Sequence, residues 1–267
     1  MFEKQLRKVR EVHPLVHSIT NPVTINDVAN MIIACGASAI MAMDPQEVQE
    51  ITVIADGLNL NIGVLQEKTA EAMLLSGKTA NAKGIPVILD PVGVGASLFR
   101  KKTVRKLLDE IRFSVIRGNA AEIRCLMEEG GQKGIDGDEK GTMETFVRLA
   151  KALSQKTGAV VIMSGETDIV TDGNRSCLLY NGHPMMKDVS GSGCMLSGMI
   201  ASFCAADPEH LFEAACAAVM TMGTAGQMAH DQLLWMQGNA SYRTKIIDAV
   251  YCMKESDLLK VGKYEML

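Results

Sequence analysis

Aromatic residues make up only 4% of this 267-residue chain, with a single tryptophan among them. The core therefore has to come from Ala, Val, Ile, Leu and Met, and a 47% hydrophobic content with 18 methionines supplies it. A surplus of positive charge is missing as well: the formal net charge is −4 and the sequence pI about 5.8. Nucleic-acid binders carry a basic face, so no nucleic-acid partner is expected. A small anionic ligand stays open, because local dipoles and one or two cations suffice to hold it. No apolar run reaches transmembrane length without glycine or polar breaks, and the charged first eight residues have no apolar signal core. The expectation is a cytoplasmic protein with no membrane partner.

Other absences concern motifs. None of the seven cysteines is spaced C-x-x-C, which leaves zinc-ribbon and thioredoxin-like readings unsupported. Their odd number and apolar surroundings fit buried free thiols in a reducing compartment. The Walker A pattern is missing, and so is a strand-linked G-x-G-x-x-G with an acidic residue about 20 positions on. Gly191-Ser192-Gly193 does not fit the frame of a nucleophile elbow either. An ATP enzyme on this chain is neither a P-loop protein nor a protein kinase, and an NAD-dependent dehydrogenase lacks its fingerprint.

What the chain does have is a regular alternation. Apolar periodicity predicts helices over 4–12, 24–35, 45–55, 68–83, 103–111, 119–130, 142–157, 194–205, 208–228 and 242–253. Between them lie short apolar strands over 15–20, 37–41, 57–62, 85–90, 114–117 and 159–164. A hairpin is expected around Asp172-Gly173-Asn174, and an exposed turn over 131–141. With no repeat, linker or charge block, residues 1–267 read as one α/β domain: a mainly parallel central sheet with helices on both faces.

Ligands of such sheets bind beyond the carboxyl ends of the strands. The residues standing there are Thr20-Asn21, Met41, Asn61 to Gly63, Asp90, Arg117 to Asn119, Ser164-Gly165 and Ser190 to Cys194, nearly all polar or small. Arg117 can grip phosphate oxygens with two parallel hydrogen bonds. Asn119 and Glu122 have the spacing of a capping box, and Glu122 can in addition hold a metal-bound water. Asp90 is the natural second acidic group for Mg²⁺, which takes few carboxylates and keeps its waters. Asn21, before Pro22, is held extended so that its amide can project into the crevice. His17, Asn26 and Asn30 continue that polar series, with Asn30 read as a surface residue.

The segment Asp188-Val189-Ser190-Gly191-Ser192-Gly193-Cys194 runs straight into an apolar helix. Backbone N–H groups at such a helix start stabilise an anion. Cys194 stands where the helix is expected to begin, a position that lowers a thiol's pKa; the alternative reading of this segment is a glycine-rich loop joining two elements with a buried cysteine next to it.

His17 to Asn26, Asp90-Pro91-Val92-Gly93-Val94-Gly95, Arg117-Gly118-Asn119-Ala120-Ala121-Glu122 and Val189 to Cys194 occur in this order. Together they resemble the hydroxyethylthiazole kinases, thiamine-salvage enzymes of the ribokinase-like superfamily, over about residues 12–253. The resemblance implies a single-domain ribokinase-like fold without a lid domain. It also implies transfer of the γ-phosphoryl group of ATP to 4-methyl-5-(2-hydroxyethyl)thiazole with Mg²⁺, by a homotrimer with active sites at subunit interfaces. By motif, Met41, Gly191 and Asn21 would lie at the thiazole. Arg117, Ser164, Asn119 and Gly193 would bind ATP. Asp90 and Glu122 would serve Mg²⁺ and its waters, and Cys194 would stand where most ribokinase-like enzymes carry an aspartate base. Ala39 replaces the proline usual before the Met41 segment, and Gly238-Asn239-Ala240-Ser241-Tyr242 replaces Gly-Pro-Gly-Ser-Phe; both leave substrate preference open. The alternatives are a ribokinase-like kinase of another small alcohol, such as a hydroxymethylpyrimidine or a sugar, and a non-catalytic nucleotide sensor on the same fold.

Overall fold

Strands and helices alternate along the chain as the apolar runs predict. The computed structural model describes residues 2–128 and 141–267, so most of the exposed turn expected over 131–141 lies outside the described residues. In chain order the elements are α1 (Glu3–Val12), β1 (Leu15–Ile19), α2 (Ile25–Cys35), β2 (Ser38–Ile40), α3 (Val48–Ile54), β3 (Gly57–Asn61) and α4 (Glu67–Lys83). They continue with β4 (Val87–Asp90), α5 (Leu98–Glu110), β5 (Val115–Asn119), α6 (Ala120–Glu128), α7 (Met143–Thr157), β6 (Val160–Ser164), β7 (Asp168–Thr171) and β8 (Ser176–Leu179). The last are α8 (Ser192–Ala206), α9 (Leu211–Asp231), α10 (Asn239–Cys252), α11 (Glu255–Val261) and β9 (Tyr264–Met266).

All nine strands form one sheet in the order β2-β1-β3-β4-β5-β6-β7-β8-β9. The first six are parallel, and the β7–β8 hairpin and β9 add an antiparallel edge. Successive strand residues point to opposite faces. Ile88, Val115, Val160 and Ile162 accordingly join α1, α2, α8, α9 and α10 in one apolar cluster. Val87, Leu89, Ile116 and Val161 join α3 to α7 in another. Burial on both faces explains why the strands read as continuous apolar runs. The chain moves from β1 outward to β2 and then back past β1 to β3. That reversal opens a crevice at the carboxyl ends of β1 and β3, where ligands of open α/β sheets bind.

Several boundaries differ from the sequence expectation. α5 starts at Leu98, because Ser97 caps it by accepting the Arg100 N–H at 3.2 Å. Leu98 and Phe99 are exposed, so no apolar period marks that first turn. The expected last helix, 242–253, is followed by α11, which buries Leu258 alone, and by β9, whose residues are exposed, so neither gives a pattern. The β7–β8 hairpin forms as expected: Asp172 Oδ1 accepts the N–H groups of Asn174 and Arg175 at 3.1 and 3.0 Å.

Candidate active site

α8 fixes the floor of the crevice. It is buried along nearly its whole length, between α2 and α9 on one side and β1, β3 and β4 on the other, as expected for a helix apolar all round. The helix begins at Ser192, so Cys194 belongs to its first turn and does not mark its start. Gly191, just before it, has φ +81° and touches Thr24, leaving no room for a Cβ. The Ser192 N–H is used locally, donating to Val189 O at 3.3 Å, while the Met195 N–H closes the first turn onto Gly191 O at 2.9 Å. The N–H groups of Gly193 and Cys194 belong to the set that a helix start leaves without an intrahelical partner. A Cβ on Gly193 would fall inside the Arg117 guanidinium, so this turn and Arg117 are in direct contact.

Asp90 ends β4 and is fully buried. Its Oδ2 accepts from Asn61 Nδ2 at 2.7 Å and from Ser197 Oγ at 2.7 Å. Its Oδ1 faces Arg117 Nη1 at 3.7 Å and accepts no hydrogen bond among the described residues. Burial pushes the Asp90 carboxyl above its ordinary range, against the pull of Arg117, Ser197 and Asn61; the Glu122 charge adds to the rise. Arg117 also influences Asp168, whose Oδ1 accepts the Gly165 N–H at 3.0 Å. Burial pushes Asp168 up to about 6, with the Gly165 N–H and Arg117 opposing.

Cys194 lies under the same network. Asn61 Nδ2 donates to its Sγ at 3.2 Å and Asn21 Nδ2 at 3.5 Å. The expected lowering of its pKa is overturned. Burial, followed by the nearby Asp90 charge, raises the thiol, and this outweighs Asn61, Thr24 and Asn21. The helix start sits inside the protein, so the thiolate loses more hydration than those donors replace.

Asn119 and Glu122 form the capping box. Glu122 Oε2 accepts the Asn119 N–H at 2.8 Å, and Asn119 Oδ1 accepts the Glu122 N–H at 2.9 Å. Glu122 Oε1 accepts the Gly93 N–H at 2.9 Å and so ties the loop after β4 to α6. Ser164 ends β6 opposite Asn119, and its hydroxyl donates to Gly118 O at 3.3 Å. Met41 follows β2, half-buried on the apolar cluster that includes Cys194. His17, in the polar series expected near the first strand, is buried in β1 and ties it to the loop after β2 through Ala42 O and to α3 through Thr52 Oγ1, both at 2.9 Å. Asn30 donates to Asn26 O on the surface, as expected.

The structure thus brings Asn21, Asp90, Arg117, Gly193 and Cys194 into one connected set, with Asn119, Glu122 and Ser164 beside it on β5, α6 and β6. Met41, just past β2, packs against the apolar cluster that includes Cys194. Sequence reading assigned no role to Asn61, Ser197 or Asp168. Its position at the end of β3 was the available signal for Asn61, although that strand also carries Asn59. For Ser197 it was a position three residues past Cys194 on one helix face.

Asp90 Oδ1, buried and without a hydrogen-bond donor, fits a bound cation. Glu122 does not fit as a direct ligand in the same way, because both of its oxygens already accept backbone N–H groups. No group of three or more His, Cys, Asp or Glu able to hold a metal occurs among the described residues. Magnesium that keeps its waters and takes phosphate oxygens does not require one. No helix of the described residues is long and apolar enough to cross a membrane.

Residues 6–256 match the model of the hydroxyethylthiazole kinase family. A hydroxyethylthiazole kinase of Clostridium acetobutylicum is 46% identical over 99% of this chain and 99% of its own length. The solved hydroxyethylthiazole kinase of Pyrococcus horikoshii OT3 superposes with a TM-score of 0.90 at 32% identity, covering 100% of this chain and 98% of that one. A ribokinase-like superfamily protein of Enterococcus faecalis shares the fold, with a TM-score of 0.63 at 14% identity over 94% of this chain and 87% of its own. The expected architecture is therefore met, and the chain belongs to the hydroxyethylthiazole kinase family.

Proposed function

We propose that this chain moves the γ-phosphoryl group of ATP to the hydroxyl of 4-methyl-5-(2-hydroxyethyl)thiazole, the phosphorylation that salvages the thiazole half of thiamine. Family membership supports the reaction and its substrate. The observation that carries the site is the pairing of Asp90 Oδ1, which lacks a hydrogen-bond donor, with Arg117 Nη1 at 3.7 Å beside the first turn of α8. Phosphoryl transfer asks for positioning and charge neutralisation more than for covalent chemistry. Arg117 holds polyphosphate oxygens, with Asn119, Ser164 and Gly193 lining the nucleotide. The free N–H groups of Gly193 and Cys194 meet the charge that develops on the γ-phosphoryl group. Asn21, Met41 and Gly191 hold the thiazole.

In the transfer, the alcohol oxygen bonds to the γ-phosphorus and the bond from that phosphorus to the bridging oxygen breaks. ADP leaves with the electron pair. The hydroxyl proton passes to the Cys194 sulfur in its thiolate form. Mg²⁺ would be held by Asp90 and, through water, by Glu122, and would supply positive charge to the phosphates. We further infer a cytoplasmic homotrimer with active sites between subunits. Exposed Val23, Ile33, Val53 and Ile54, in the segments around β2, favour an apolar contact there.

The test is a coupled assay of ADP release with the thiazole alcohol, a hydroxymethylpyrimidine and a sugar, each with and without Mg²⁺. Metal-dependent turnover on the thiazole alcohol above the others is expected. Preference for another alcohol replaces the substrate, and ATP binding without turnover on any of them makes the chain a sensor.

A further inference from the structure

The amide of Asn61 can stand in only one orientation. The Gly63 backbone N–H can only donate, and it reaches Asn61 Oδ1 at 2.9 Å. The Asn21 amide donates to the same oxygen at 3.1 Å. With Oδ1 fixed on that side, the two N–H bonds of Asn61 Nδ2 point the other way. One reaches Asp90 Oδ2 at 2.7 Å and one reaches Cys194 Sγ at 3.2 Å. Asn61 is itself 1% exposed and ends β3 beside β4, in register with Asp90. A rigid planar group on the sheet thus joins a carboxylate on β4 to a sulfur on α8.

We propose that Asn61 is a positioning residue for the transfer step: its single amide fixes the separation of Asp90 and Cys194, so that the phosphate-side carboxylate and the proton acceptor act as one unit. The inference rests on the roles given above to Asp90 and Cys194. Its physical basis is that Asp90 Oδ2 is held from both sides, by Asn61 and Ser197, which leaves Oδ1 as the oxygen presented to Arg117 and the phosphates. The same amide, together with that of Asn21, occupies the sulfur as an acceptor. Misplacement of a reacting group by about 1 Å costs on the order of a hundredfold in rate.

The test is a double-mutant cycle of Asn61→Ala and Cys194→Ala, with kcat, KM for both substrates, ATP affinity without the alcohol, and a thermal melt. Asn61→Ser, which keeps a small polar side chain in place, is run alongside in case the alanine variant is not folded. The expected result is a kcat lower by about a hundredfold, with both KM values and the ATP affinity within about threefold. In the Cys194→Ala background the same substitution should cost less than about fivefold, because groups acting through one another are not additive. An equal loss in both backgrounds, or an unchanged kcat, overturns the proposal. An unchanged kcat in Cys194→Ala alone overturns instead the role of the sulfur, and the cycle separates the two failures.

Discussion

Arg117 Nη1 lies 3.7 Å from Asp90 Oδ1, facing a buried carboxylate oxygen without closing a hydrogen bond to it. The pair is held apart by its surroundings: Asn61 and Ser197 fix the carboxylate from the far side, and Gly193 lies against the guanidinium. Replacing Arg117 with Lys keeps the charge but loses the planar fork. Its KM for ATP is expected to rise about tenfold or more, measured at saturating alcohol. Replacing it with Met leaves Asp90 buried without its counter-charge, at a cost of about 3 kcal/mol near neutral pH. Burial already raises the Asp90 carboxyl, so a proton relieves that cost as pH falls. Denaturant titrations should therefore show Arg117→Met losing more stability near pH 8 than near pH 5.

The raised Cys194 thiol sets the sign of the pH dependence. Its thiolate fraction grows as pH rises through a value above the ordinary thiol range. Turnover is expected to climb across that range in the parent. Cys194→Asp should stay active with its rise moved to lower pH, because a carboxyl ionises earlier. Cys194→Ala should lose about 10²–10⁴-fold in kcat. A flat profile in the parent would count against the sulfur as proton acceptor.

Gly193 gives a variant that moves the Arg117 guanidinium without removing its charge. The atoms nearest to a Cβ there are those of the Arg117 guanidinium, which must shift away from Asp90 to admit it. Gly193→Ala should bind ATP at least about tenfold more weakly and lose less stability than Arg117→Met, because the displaced guanidinium keeps its charge near Asp90. At Gly191 the added Cβ meets Thr24 in a backbone conformation of positive φ. Gly191→Ala should lose about 1–3 kcal/mol of stability, read by the same denaturant titrations.

Glu122 has both oxygens engaged by backbone N–H groups. In Glu122→Gln one of those donors faces an NH2 group and loses its acceptor. A stability loss of about 1–3 kcal/mol is expected, together with a higher Mg²⁺ concentration for half-maximal turnover. An unchanged melt would show that the Gly93 and Asn119 N–H groups are satisfied elsewhere.

The sheet was legible because β3 to β6 are buried on both faces and their apolar runs end in polar residues. Asp90, Arg117 and Asn21 could be placed at one edge from that rule alone. The thiol's direction of shift was not legible: a helix start lowers a thiol in water, and only packing against β1, β3 and β4 reveals how much hydration Cys194 gives up. Asn61 could be placed at that edge, but its role could not be read, since it lies in contacts with residues 40 positions back and 29 and 133 positions ahead. The C-terminal β9 was invisible because its side chains are exposed and it is held by backbone pairing with β8 and by the contacts of Glu265 with Tyr180 and Tyr264 with Phe2.

The proposed transfer is tested most directly by product analysis with mass spectrometry after incubating the purified chain with Mg²⁺, ATP and 4-methyl-5-(2-hydroxyethyl)thiazole. The thiazole phosphate ester and ADP are expected in equal amounts. ADP with inorganic phosphate alone, or no consumption of ATP, would contradict it.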